Sequence, residues 1–102
     1  MLIRCVIMFV AVVSVDIKIG NDRSLKGKRK VLRGILDRLK SKFNASVAEI
    51  SHHDLWQRTM IGVSIVSNDK AHANSSVDKV MNFLYAIPDI NIINTTIEII
   101  GF

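Results

Sequence analysis

An alternating run near the amino terminus predicts the first strand. It reads Val13-Ser14-Val15-Asp16-Ile17-Lys18-Ile19, and a period of two is typical of a strand with one buried face. The four apolar members should face a core, and Ser14, Asp16 and Lys18 the opposite side. We predict strand one over residues 8–19. The apolar run 5–13 that follows Arg4 is too short to span a bilayer.

The segment after the first strand predicts a long helix. Ser24 is a good N-cap, and the helix should run to about Phe43. Apolar side chains recur along it at helical spacing and share one face. They are Leu25, Leu32, Ile35, Leu36, Leu39 and Phe43.

The rest of the chain predicts a hairpin, a second helix and a last strand. Strands over 45–51 and 57–67 flank a loop at 52–56. Asn68 or Asp69 caps the second helix, which Pro88 terminates. Its apolar stripe is Val77, Val80, Met81, Leu84 and Ile87. The last strand covers 90–100, with an irregularity at Ile92-Ile93 where the alternation changes phase.

The predicted order β-α-β-β-α-β indicates one α+β domain over residues 1–102. Two right-handed crossovers around a hairpin give a ferredoxin-like sandwich, with a four-stranded antiparallel sheet and both helices on one face. The other sheet face stays open. Near the amino terminus both faces of strand one become apolar (Phe9, Val10, Ala11, Val12), so we expect a second copy of the chain to cover part of the open face.

Composition limits the classes of protein that fit. The chain has 102 residues and a single cysteine, Cys5, so an intramolecular disulfide and a cysteine-based zinc site are both excluded. Its length supports one core and not two. We predict a cytoplasmic protein that uses no cofactor or metal and does not bind membranes.

Positive charge is concentrated in the first helix. Nine of the 14 Lys and Arg lie between Arg23 and Lys42, where Asp37 is the only acid. That segment carries +8, which leaves −3 for the rest of a chain with net charge +5. This uneven distribution of charge favours binding to an anionic partner.

Part of this charge forms one stripe on the helix. Lys26, Arg29, Lys30, Arg33 and Lys40 fall within an arc of about 100° beside the apolar face. The predicted anion-binding set is this stripe together with Arg23 and Lys28. A solvated helix face is the alternative, although such faces usually interleave Glu at i, i+4. The segment from Arg23 to Lys28 lacks P-loop spacing, so Ser24 is best read as a helix cap.

The hairpin loop carries an unusual cluster, His52-His53-Asp54-Leu55-Trp56-Gln57-Arg58. Adjacent histidines in an extended segment point to opposite sides, which argues against a metal site. No nucleophile lies in a recognisable context. We expect Asp54 to hold the loop by an Asx-type hydrogen bond and Trp56 to plug the end of the core. The alternative is an exposed contact tip formed by His53, Asp54, Trp56, Gln57 and Arg58.

The element order is also that of the RNA-recognition motif, which stacks bases on aromatic side chains of the open sheet face. Residues 58–67 of the predicted third strand include no aromatic residue. RNA binding would therefore use the basic helix and phosphates.

Several blocks of the sequence together form a specific pattern. The blocks are Arg23-Ser24-Leu25-Lys26 with Lys28-Arg29, Phe43-Asn44, Ser46-Val47-Ala48-Glu49, Asp54-Leu55-Trp56-Gln57-Arg58, Gly62 and Val66-Ser67-Asn68. In their order and spacing they resemble the YlxP-like family of small bacterial proteins. Members of that family often begin near Met8, so the resemblance implies that residues 1–7 are an N-terminal extension or a mis-assigned start. The resemblance implies a ferredoxin-like sandwich without an established activity. The family's gene neighbourhoods imply, by association, a role connected with the ribosome or RNA.

These observations predict a non-enzymatic protein that binds structured RNA or the ribosome through its basic helix. The alternative is a dimeric interaction or regulatory module, in which the open sheet pairs two chains and the basic helix docks an acidic protein.

Overall fold

The computed structural model describes residues 5–20 and 24–102. Its elements follow the order β-α-β-β-α-β, as predicted. The elements are β1 (Phe9–Ile19), α1 (Leu25–Lys42), β2 (Ser46–Ser51), β3 (Arg58–Ser67), α2 (Lys70–Tyr85) and β4 (Ile90–Gly101).

The four strands form one antiparallel sheet in the order β2-β3-β1-β4. β1 is central and pairs with β3 on one side and β4 on the other. Both helices pack on the same face, with α1 on the β2 side and α2 over β3, β1 and β4. The predicted ferredoxin-like α+β sandwich is confirmed.

The core lies between the helices and the inner face of the sheet. The predicted alternation of β1 is confirmed, because Val13, Val15, Ile17 and Ile19 are buried while Lys18 is exposed. From α1 the core receives Leu32, Ile35 and Leu39, and from α2 it receives Val77, Val80, Met81 and Leu84. Each apolar stripe therefore faces the sheet, as its spacing predicts.

Side-chain caps fix where the helices begin. The Ser24 hydroxyl accepts a hydrogen bond from the Gly27 N–H at 3.0 Å, as predicted for an N-cap. Asp69 caps α2 by accepting from the Ala71 N–H at 3.2 Å. α2 ends at Tyr85. Pro88 therefore lies beyond the helix and does not directly follow its last residue.

Two bulges shape the outer strands. The register of β4 against β1 shifts so that Asp16 faces Asn94 while Ile17 faces Ile92, which confirms the irregularity predicted at Ile92-Ile93. A second shift lies in β2 between Glu49 and Ser51. Here Ile50 folds over Gly62, where an added Cβ would stand 2.9 Å from an Ile50 methyl.

The open face of the sheet is partly apolar. Val12, Ile50 and Val66 are exposed on it. Val12 and Ile50 line a shallow depression of about 290 Å³, together with small residues such as Ser14 and Gly62. The predicted cover by a second copy stays a prediction.

Candidate nucleic-acid interface

The five residues of the basic stripe, Lys26, Arg29, Lys30, Arg33 and Lys40, are all exposed on α1. None of them forms an ion pair with a carboxylate within the described part of the chain. The acid of α1, Asp37, is exposed and leaves the stripe unneutralised. The stripe therefore presents a row of cations to solvent that no carboxylate among the described residues neutralises.

The first turns of α1 are also concave. Ser24, Gly27 and four stripe residues (Lys26, Arg29, Lys30, Arg33) line a depression of about 620 Å³. Gly27 in this wall adds no side-chain bulk. Arg23, which the sequence assigned to the same anion-binding set, lies outside the described residues.

The prediction that Lys28 belongs to the anion-binding set is wrong. Its side chain is fully buried, and its ammonium lies 2.9 Å from a Glu49 carboxylate oxygen. The same ammonium donates to the backbone carbonyls of His52 at 2.5 Å and His53 at 3.3 Å. Lys28 is therefore a structural cation, and it cannot reach a phosphate outside the protein.

Glu49 links this buried lysine to the sheet. The Thr59 hydroxyl, also fully buried, donates to Glu49 Oε2 at 2.6 Å. Burial raises the pKa of the Glu49 carboxyl, but the hydrogen bonds from Thr59 and Lys28 and the Lys28 charge outweigh it. The pKa therefore lies below its usual value of 4.5. We call Lys28, Glu49 and Thr59 the inner cluster.

A second ionic group lies on the open face at the same end of the sheet. Arg58 donates two hydrogen bonds to the Asp16 carboxylate, at 3.2 and 2.7 Å. His52 has a left-handed backbone conformation, with φ at 64°, and its Nε2 lies 3.7 Å from Asp16 Oδ1. We call Asp16, His52 and Arg58 the outer cluster. Arg58, predicted for the contact tip, is thus held on the sheet by Asp16.

The hairpin loop is exposed where a core plug was predicted. Trp56 keeps 37% of its surface accessible and Leu55 49%, so the interpretation of Trp56 as a plug is wrong. The Asp54 side chain makes no hydrogen bond to any other described residue. The loop is instead closed by the Leu55 N–H, which donates to the His52 carbonyl at 3.1 Å. The prediction of an Asx-type hydrogen bond from Asp54 is therefore also wrong.

The hairpin and the basic helix meet at one end of the molecule. The Lys28 ammonium bonds to the carbonyls of His52 and His53, which fixes the base of the loop against the second turn of α1. His53, Asp54, Trp56 and Gln57 are exposed there. The predicted contact tip thus lies at the end of the molecule where α1 begins.

A positional signal in the sequence could have placed Lys28 correctly. At 100° per residue, Lys28 lies within about 40° of Leu32, Ile35 and Leu39, in the middle of the apolar face. A lysine there is buried only with a partner. Its partner Glu49 is in β2, and nothing in the local sequence identifies it.

Within residues 5–20 and 24–102, no three His, Cys, Asp or Glu residues are grouped so that they could hold a metal ion. No helix in the described ranges has the length and apolar character needed to cross a bilayer.

Comparison with known proteins identifies the family. Residues 10–97 match the model of a protein family of unknown function, DUF503. The chain belongs to this family. It is 42% identical, over 67 residues, to the uncharacterized protein YlxP of Bacillus subtilis (strain 168), a match that covers 66% of this chain and 73% of that protein. The predicted YlxP-like relationship of this DUF503 protein is therefore confirmed.

Among solved structures, the DUF503 chain is similar to the de novo designed protein Foldit4. The TM-score is 0.47 at 17% identity, over 91% of this chain and 96% of the designed one. This likeness is too weak to bear on function.

Proposed function

We propose that the protein is a non-enzymatic cytoplasmic RNA-binding protein, which contacts the phosphates of structured or ribosomal RNA through α1. The observation that carries the proposal is the stripe itself. Five exposed cations lie along one helix face, and none has an ion-pair partner among the residues described. A free row of cations is the usual electrostatic footprint of a nucleic-acid-binding surface.

The basic helix and the hairpin would have different roles in RNA binding. Contacts from lysine and arginine to phosphates give affinity and orientation but carry little sequence information. The neighbouring hairpin offers an indole, an imidazole and an amide, from Trp56, His53 and Gln57. These groups stack on or hydrogen-bond to unpaired bases, so the hairpin would supply the selectivity.

The test is cosedimentation with ribosomal subunits, and with total RNA, over a series of salt concentrations. Each phosphate contact contributes about 0.7 to 0.9 to the slope of log affinity against log salt, so five cations predict a slope of about −3.5 to −4.5. Replacing Arg29, Lys30 and Arg33 with Gln should reduce its magnitude by about 2 to 3.

A matched control separates the stripe from net charge. Lys18, Lys70 and Lys79 are exposed and lie outside α1, so changing them to Gln removes the same charge elsewhere. We expect this control variant to bind RNA nearly as well as wild type. Equal losses in both variants, or no sedimentation of wild type at low salt, would refute the proposal.

The second candidate is the dimeric interaction module that docks an acidic protein. The exposed Val12, Ile50 and Val66 on the open face favour it, because contiguous apolar patches commonly mark protein contacts. Self-association that resists salt and that Val12→Lys weakens, together with binding to an acidic protein but not to RNA that the Arg29, Lys30 and Arg33 changes abolish, would favour this candidate over RNA.

A further inference from the structure

The β4 edge of the sheet lacks most of the features that block strand pairing. β4 is 12 residues long and contains neither Lys nor Pro. Its single charged residue is Glu98. The opposite edge strand, β2, has only 6 residues and carries a bulge near its end. Short strands, bulges, lysine and proline are the usual protections of an edge, and β2 has two of them.

The bulge of β4 does not protect most of the strand. It lies at Ile93, between the pairs of Asn94 and Ile92 with β1. From Asn94 to Gly101 the register with β1 is continuous. This run therefore holds a regular row of backbone donors and acceptors on its outer side, where no other described strand lies.

We propose that β4 pairs antiparallel with β4 of a second copy of this chain, which joins two sheets into one. The exposed side chain of Ile97 supports a second copy of the chain as the partner. Ile97 lies on the helix side, like Ile99, but α2 leaves 49% of its surface accessible. A second copy with its own α2 on the same side would cover it.

Symmetry restricts the register of this pairing. A two-fold axis normal to the sheet keeps both helix layers on one side, so every residue must lie opposite one that faces the same way. With the axis at Ile97, Asn94 to Ile100 of each copy can pair. Ile97 then lies against the partner's Ile97, and Glu98 lies opposite the partner's Thr96.

The neighbouring registers are less favourable. Moving the axis to Glu98 places that carboxylate directly opposite its own copy, and like charges in opposed positions destabilise a sheet. Moving it to Thr96 shortens the regular pairing, because the bulge at Ile93 then opposes Ile99. The axis at Ile97 combines the longest regular pairing with no opposed charges.

This arrangement leaves the basic helices accessible. α2 contacts β4, whereas α1 lies on the β2 side of the sheet. In the dimer the two α2 helices would be central and the two α1 helices would lie at the far ends. Self-association is therefore independent of whether the stripe binds RNA.

Cysteine cross-linking tests both the contact and its register. In a Cys5→Ser background, which removes the exposed native thiol, Ile97→Cys would place two cysteines directly opposite each other. Opposed Cβ atoms in an antiparallel pair are about 4.5 to 5.5 Å apart, so mild oxidation should give a covalent dimer. Glu98→Cys and Val12→Cys in the same background are the matched controls, and we expect both to stay largely monomeric on denaturing gels.

Each control corresponds to a different contact. Preferential cross-linking at Glu98→Cys would overturn the register, and cross-linking at Val12→Cys would locate the dimer on the open face. Either result, or the absence of cross-linking at all three positions, contradicts the proposal.

Solution mass provides a second readout without cysteines. Light scattering after size exclusion should give about twice the 11.4 kDa of the chain. Ile97→Lys places two ammonium groups at the axis and should raise the dimer dissociation constant at least tenfold, whereas Val12→Lys should not. Circular dichroism checks that both variants fold, and a monomeric wild type at 100 µM would overturn the proposal.

Discussion

The inner and outer clusters place similar ionic groups on opposite faces of the same end of the sheet. In the inner cluster, Lys28 is fully buried and the Glu49 side chain is 14% exposed. In the outer cluster, the Asp16 side chain is also 14% exposed, but Arg58 keeps 37% and His52 27% of its side chain in water. The clusters therefore differ mainly in the burial of the cation.

That difference sets the energetic role of each cluster. A cation outside water depends on its protein partners, so losing one leaves an uncompensated buried charge. A half-exposed guanidinium can return to water, and its ion pair contributes little net stability. Arg58 donates two hydrogen bonds to Asp16. This ion pair should nevertheless contribute less to the unfolding free energy than the Lys28–Glu49 pair.

The largest expected effect comes from breaking the inner cluster. Glu49→Ala leaves the Lys28 ammonium buried with only the carbonyls of His52 and His53, and we expect a loss of about 3 to 5 kcal/mol in unfolding free energy. Urea denaturation followed by circular dichroism measures it.

The control for Glu49→Ala removes both charges. Lys28→Met combined with Glu49→Leu should recover most of the lost stability, because apolar residues of similar volume often replace a buried ion pair at little cost. If the double variant were no more stable than Glu49→Ala, an uncompensated Lys28 charge would not be the cause.

Acid provides a smaller and reversible perturbation of the same pair. Because the folded-state pKa of Glu49 lies below 4.5, the unfolded chain takes up its proton first as the pH falls. The stabilising contribution of Glu49 is present above pH 4.5 and is lost as the pH falls through the folded-state pKa. Urea midpoints between pH 7 and pH 3 should decline less in a Glu49→Gln variant, and parallel declines would contradict this assignment.

The smallest effect is expected in the outer cluster. Asp16→Asn removes the carboxylate that Arg58 binds but leaves both side chains partly solvated, so unfolding free energy should fall by about 1 kcal/mol or less. Screening by 1 M salt should reduce the difference between Asp16→Asn and wild type further. A loss as large as that of Glu49→Ala would show that burial of the cation does not distinguish the clusters.

Local patterns in the sequence predicted the fold, because each element carries its own periodicity. Alternation around Ser14 and Asp16, the cap at Ser24 and the phase change at Ile92-Ile93 are all present in the structure. The stripe on α1 is also a local pattern, and its exposure follows from helical geometry.

The site details that were missed depend on contacts between distant segments. Lys28 and Glu49 are in different elements, and their pairing is visible only once α1 lies on β2. Trp56 illustrates the same limit. Its size and hydrophobicity suggested a plug, but whether a loop folds inward depends on the packing around it, and here the loop is closed by its own backbone.

The position of β1 at the centre of the sheet has a consequence for synthesis. Among the described strands, β1 is synthesised before the others and β4, one of its two partners, is synthesised after them. During translation, which proceeds from the amino end, one side of β1 has no native partner until β4 has been made. The nascent chain therefore carries an open, valine-rich strand while the residues between β1 and β4 are synthesised, and chaperones shield segments of this kind from aggregation.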